Sequence, residues 1–216
     1  MRAEAAGILE AIYESREEWD KLISTLEILA GATDDVSRRV ELLRKMALTA
    51  ATRLGQLPRA IAAQSRALRE DPSQADTRLE LEGYVEQSGD VESLAQVYAD
   101  IAQSASDAAL ARDYWLRLAS IHEQCQRVEE AAQCYEKVLE LDPSDVEALE
   151  AMDALYRRTE HWEELVGVYR RRIELTQEPS DSERLYAQMA QVYEERLGRP
   201  AEAILAYREV LAIRSG

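Results

Sequence analysis

Two histidines, His122 and His161, and two cysteines, Cys125 and Cys134, are the residues that could carry nucleophilic or metal chemistry in this chain. A nucleophilic triad needs a histidine set against a nucleophile and an acid, and neither histidine sits in such a pattern. His122, Cys125 and Cys134 could in principle meet around zinc, but their spacing fits no standard pattern and a fourth ligand is lacking. Gly7, Gly31 and Gly55 are isolated, so no glycine-rich loop cradles a phosphate. The many glutamates read as solvated helix surface, not as paired acids and bases. No catalytic residue, no metal and no cofactor is therefore expected, and the chain does not read as an enzyme. One basic cluster stands out: Arg157, Arg158, Arg170, Arg171 and Arg172. It could grip phosphate or carboxylate. The plainer expectation is pairing with nearby Glu160, Glu163 and Glu164, which stabilises little at a surface.

The elements that must position such residues are helices. Of 216 residues 46% are apolar, while only 8 are glycine and 5 proline, too few for the turns of an all-β fold. Alanine, leucine, glutamate and arginine dominate, and all favour helix. The formal charge is −16, which repels phosphate backbones, so nucleic acid is not an expected partner and basic protein segments are. Two cysteines make no disulfide framework. The N-terminus lacks a signal-like apolar run, and no stretch of about 18 apolar residues would span a membrane. A cytoplasmic protein is expected.

The sequence repeats itself. Asp71-Pro72 returns as Asp142-Pro143, Trp19 aligns with Val91 and Trp162, and Ala60 with Ala131 and Ala203, giving a unit of about 71 residues. Leu68, Leu139 and Leu211 follow the same rhythm. Each unit splits into two helical hairpins. Asp-Pro closes a helix, because proline removes a donor and clashes with the preceding turn. Ser144…Glu147 and Ser180…Glu183 have the spacing of a capping box. Six hairpins are predicted, over 2–31, 34–69, 74–104, 107–140, 145–176 and 180–213, as a single array spanning 1–216.

Residues 112–145 carry the fullest pattern: Trp115, Leu118-Ala119, His122, Ala131, Tyr135, Val138 and Pro143. Tyr186, Met189-Ala190, Tyr193, Ala203, Tyr207 and Val210 repeat it, as do Leu43, Met46-Ala47, Ala50, Ala60, Gln64, Ala67 and Pro72. The hairpin near Val146 is more degenerate, with Asp153 where a small residue is usual. This phased recurrence resembles the tetratricopeptide repeat family. The resemblance implies an all-α fold, an α-solenoid of about six antiparallel hairpins forming a right-handed superhelix. Small residues such as Ala119 and Ala131 let paired helices approach, and Tyr135 and Tyr207 fill the gap toward the next hairpin. Trp19 and Trp162 would pin the hairpin turns.

In that family the first helix of each hairpin lines a concave groove that holds partner segments. Carried over position by position, the groove would present Glu4, Glu14, Glu41, Asp76, Glu86, Asp113, Glu123, Glu147, Glu150, Glu194 and Glu195, with Arg44, Arg157, Arg158 and Arg184. The places where some members clamp a terminal carboxylate hold Leu116 and Ser120, Ala187 and Gln191, or Glu150 and Ala154, and the chain has no asparagine, so that clamp is not expected. The partner-binding set is thus Glu41, Arg44, Asp113, Leu116, Ser120, Glu123, Glu147, Glu150, Arg157, Arg184 and Gln191. The implied function is a non-catalytic scaffold for a peptide or helix of another protein. The alternative is a self-assembling segment of a longer array, dimerising through a last helix that would leave Ile204, Tyr207 or Leu211 partly exposed.

Overall fold

The computed structural model describes residues 2–215, with side chains from residue 7 onward, so the side chain of Glu4 lies outside the described residues. Among them the chain forms helices and no strand. The helices pair along the sequence: α1 (Arg2–Ser15) with α2 (Trp19–Ala32), α3 (Val36–Arg53) with α4 (Leu57–Glu70), and α5 (Ala75–Ser88) with α6 (Val91–Ser104). Then come α7 (Ala108–Gln124) with α8 (Val128–Leu141), α9 (Val146–Arg158) with α10 (Trp162–Leu175), and α11 (Pro179–Gln191) with α12 (Pro200–Ser215). A π-turn, Val192–Arg196, prolongs α11. Contacts gather the chain into two compact units, Met1–Tyr114 and Trp115–Gly216, so that α7 gives its start to one and its end to the other.

Packing follows the repeat. In the first unit Ala47 and Ala60 are fully buried where α3 meets α4, and Leu22, Leu26, Leu43 and Leu68 fill the space around them. In the second unit Ala119, Ala131, Ala148 and Ala190 are fully buried, beside Leu139, Leu155 and Leu165. A side chain larger than a methyl at these alanines would force the helices apart.

Three of the helix starts rest on aspartates. Asp35 accepts from the amides of Ser37 and Arg38, Asp90 from Ser93, and Asp145 from Ala148 at 2.9 Å. This corrects the capping box at Ser144: Asp145 caps α9, and the Ser144 hydroxyl donates to Asp142 instead, at 2.7 Å. Ser180 is no cap either, because α11 begins at Pro179 and Ser180 lies inside its first turn. At α9 the carboxylate one residue nearer the helix outcompetes Ser144, being a stronger acceptor for the orphan amides.

The tyrosine place on the second helix differs between the hairpins α7–α8 and α3–α4. Tyr135 is buried and its hydroxyl donates to Glu123 of α7, within its own hairpin. In the first unit the same place holds Gln64, fully buried, whose amide donates forward to Thr77 O at 2.9 Å and Glu80 Oε2 at 2.8 Å on α5. Second helices are also joined to one another across their exposed sides. Arg59 pairs with Asp20, Arg66 with Glu27 and Arg69 with Asp100 in the first unit. Arg171 pairs with Glu136 and Arg199 with Glu163 in the second.

Candidate functional site

The expected groove residues fall into three groups. Some are held by ion pairs of their own. Glu41 pairs with Arg38 at 2.9 Å and Arg184 with Asp181 at 3.2 Å, both within one helix turn. Arg44 bridges α3 to α5 by a fork on Glu80, at 3.0 and 2.5 Å, and that carboxylate raises its pKa. Glu14 accepts from Lys45 at 2.7 Å. A second group lies on the first helices without gathering into a cleft: Glu147 and Glu150 are exposed on α9, and Asp113 and Leu116 are half-buried on α7. Asp76, Glu86 and Glu194 are exposed on their own helices.

The third group is brought together in the second unit. Ser120 and Glu123 of α7 line a cleft of about 610 Å³ with Leu155, Arg158 and Thr159 of α9, floored by Val128 at the start of α8. Arg158 closes one wall by pairing with Glu123 at 2.7 Å. One hairpin further on, Arg157 of α9 and Gln191 of α11 line a second cleft of about 330 Å³. Its floor is Trp162, Leu165 and Tyr169 of α10, and its far wall is Gln188, Val192, Glu195 and Arg196. The two clefts occupy matching places in successive hairpins, since Val128 and Trp162 each open the second helix.

The second cleft is the more elaborate. The Arg196 guanidinium lies over the Trp162 ring, 5.1 Å from its centroid. Arg157 lies over Tyr169 at 5.7 Å and donates to its hydroxyl at 2.5 Å. Burial pushes the Tyr169 phenol up to about 12, so it stays protonated as that hydrogen-bond partner. Asp153 takes both Arg157 and Arg172. That answers the degenerate position: the charged side chain where a small one is usual is retained by two arginines.

The arginine cluster is engaged, but not by the glutamates expected from sequence. Arg157 and Arg172 share Asp153, Arg158 reaches Glu123, Arg171 reaches Glu136, and Arg170 donates to the Tyr193 hydroxyl at 2.5 Å. Glu163 is taken by Arg199. Helix geometry explains the difference, because Arg158, Arg170 and Arg171 reach across to neighbouring helices and Arg157 and Arg172 converge on Asp153, while Glu160, Glu163 and Glu164 sit at the hairpin turn.

Sequence reasoning missed Arg196, Gln188 and Trp162 as partners in one cleft. A signal was present: Trp19 and Arg53 recur as Trp162 and Arg196, with the same spacing within each pair. Arg53 lies 5.1 Å over Trp19, so the stack is built twice. Both arginines precede a Leu-Gly stop whose glycines, Gly55 and Gly198, each have φ +63, a left-handed conformation that favours glycine.

The other sequence candidates are scattered. His122 is half-buried on α7, and His161 precedes Trp162 with its Nδ1 3.0 Å from Thr159 O. Cys125 is exposed and Cys134 buried, and burial pushes the Cys134 thiol up to about 12. Among the described residues no group of three or more histidines, cysteines or carboxylates is gathered for a metal. Among them also, no helix is long and apolar enough to cross a membrane.

Comparison with known proteins gives a consistent result. Models of the tetratricopeptide repeat match residues 113–145, residues 5–40 and 148–183, and residues 183–216. No curated protein sequence matches the chain. Similar solved structures include MamA, at 17% identity and TM-score 0.43, covering 77% of this chain and 94% of that one. A tetratricopeptide repeat protein from Parabacteroides merdae is 16% identical with TM-score 0.40, covering 98% of this chain and 79% of its own. The C-terminal part of a repeat protein from Cytophaga hutchinsonii is 15% identical with TM-score 0.44, covering 94% and 80%.

Proposed function

This chain belongs to the tetratricopeptide repeat family, and we propose that it is a non-catalytic scaffold whose first helices hold a peptide or helical segment of a partner protein. The observation that carries this reading is the pair of consecutive clefts along α7, α9 and α11, which bring Ser120, Glu123, Arg157 and Gln191 into one succession. Succession is what an extended ligand requires, because alternate side chains can then enter neighbouring pockets. The charge of −16 favours a segment that is basic over most of its length, lying against exposed acids such as Glu147 and Glu150.

A second reading is self-association. It is supported by the outer face of α12, where Ile204 is 54% exposed, Leu205 58% and Leu211 61%. The matching places on α8 and α4 are buried: Leu139 and Leu68 stand where α12 has Leu211. A face of that kind favours apolar cover.

One experiment separates the two. Peptides selected from a random displayed library are titrated against the chain while light scattering follows its mass. The scaffold reading expects basic peptides whose binding falls about tenfold or more in the variant Glu147→Lys/Glu150→Lys, at constant mass. No selectable peptide, with a mass that grows with concentration and is held down by Leu211→Glu, would replace it with self-association.

A further inference from the structure

The α9–α11 cleft has a feature that a wholly basic ligand leaves unused. Arg196 is held by the Trp162 ring and not by an acid. Among the described residues no carboxylate pairs with it, although the chain has 42 acidic residues against 26 basic ones. A guanidinium held over a ring spends none of its N–H groups on an acceptor, so they stay available to a ligand. The amides of Gln188 and Gln191, three residues apart and so on one face of α11, line the same cleft, and no other described residue engages them. Arg157 adds charge, but its own N–H groups are spent on Asp153 and Tyr169. Glu195 is the one acid among the lining residues, against Arg157 and Arg196.

The first unit shows the same junction closed from within. At the places of Arg157, Gln188 and Gln191 stand Glu14, Lys45 and Leu48, and Lys45 donates to Glu10 at 3.0 Å and Glu14 at 2.7 Å. There the pair across the first helices is complete. Between α9 and α11 the anionic half is missing and the donors remain.

We propose that the α9–α11 cleft anchors an acidic side chain of the bound segment, its carboxylate received by the Arg196 fork and the Gln188 and Gln191 amides on a Trp162 floor. This rests on the peptide-binding reading above. The segment is then basic in general and acidic at one place, which sets its register. A planar carboxylate matches a planar fork, and burying it against an arginine already immobilised on a ring costs less ordering than recruiting a free one.

The test uses fluorescein-labelled, N-acetylated and C-amidated peptides of one length: a lysine-containing peptide with a single glutamate, and its glutamine counterpart. Anisotropy titration is expected to show the glutamate peptide binding about tenfold tighter. Arg196→Gln should abolish that difference by weakening the glutamate peptide, and Arg53→Gln at the first-unit stack should leave the difference intact. Thermal denaturation of each variant checks that it is folded. Equal binding of the two peptides, or an unaltered preference in Arg196→Gln, overturns the anchor, and if the lysine-rich peptides still bind, the scaffold reading survives without it. Binding of neither peptide overturns both. A glutamine peptide with a free C-terminal carboxylate is the last arm: if it matches the glutamate peptide, the cleft reads a chain end and not a side chain.

Discussion

Trp19 with Arg53 and Trp162 with Arg196 are the same junction at two places in the chain, each stack 5.1 Å deep and each followed by a fully buried leucine, Leu22 or Leu165. Their apolar halves are almost interchangeable. Their polar halves are not. The first carries Glu14 against Lys45, an ion pair that satisfies itself. The second carries Arg157 against Gln188, which form no ion pair with each other, and a cleft opens between them. The backbone diverges as well: α3 ends as a regular α-helix, whereas α11 ends in a π-turn with Leu197 N donating to Val192 O at 3.0 Å. A π-turn inside a helix often marks a functional place. Packing constrains what lies beneath the stack in both, and only the surface above it is free to specialise.

The largest effect expected from this comparison lies in what the junctions share. Leu22→Ala and Leu165→Ala should each lower unfolding stability by about 2–5 kcal/mol, because each removes a fully buried side chain from a packed site. Urea denaturation of the two variants measures this directly. A much smaller loss for Leu165→Ala would mean that the open junction relaxes around the cavity, and the two would no longer be alike below the surface. A smaller effect is expected from exchanging what they do not share. Arg157→Glu combined with Gln188→Lys writes the first-unit pair into the second. It should lower stability by about 1–3 kcal/mol, because Asp153 loses one of its two arginines and gains a like charge beside it, and abolish the preference for the glutamate peptide. A variant that keeps the preference would show that the cleft does not depend on the Gln188 amide.

The smallest effect concerns acid. In the first unit Ser73 and Gln74 hold the Asp71 carboxyl below its usual range, and Gln96 and Arg69 do the same for Asp100. A carboxyl depressed in the folded state contributes stability that is present above the ordinary carboxylate range and lost as pH falls through the depressed value. Denaturation midpoints measured from pH 6 down to pH 3 should therefore decline, and Asp71→Asn/Asp100→Asn should flatten the decline. An unchanged slope in that variant would place the acid sensitivity elsewhere.

Most of the fold was legible in the sequence because close packing leaves a periodic trace. Ala47, Ala119 and Ala190 recur where helices touch, and all three are fully buried. Asp-Pro marks the ends of α4 and α8, since a proline cannot continue a helix. What failed was local competition: Ser144 and Asp145 both suit a helix start, and only their geometry decides between them. The clefts were half legible. Glu123, Arg157 and Gln191 were found by their positions on first helices, and the structure places them in clefts. Glu41 and Arg44 were found in the same way and are bound by Arg38 and Glu80. No residue type announces whether its partner lies across the next helix, so pairing, and hence availability, was not readable in advance.

The arginine–carboxylate contacts between second helices give each unit a mechanical character. Arg59 with Asp20 and Arg171 with Glu136 join neighbouring hairpins on their solvent side, while fully buried alanines and leucines join helices within. Exposed pairs are weak and break singly, whereas buried packing gives way together. Under a pulling force the outer clasps yield first and re-form on release, so each unit stretches as a spring before it unfolds as a solid. Dissolved salt, which screens those clasps and leaves the packing alone, sets how soft the spring is.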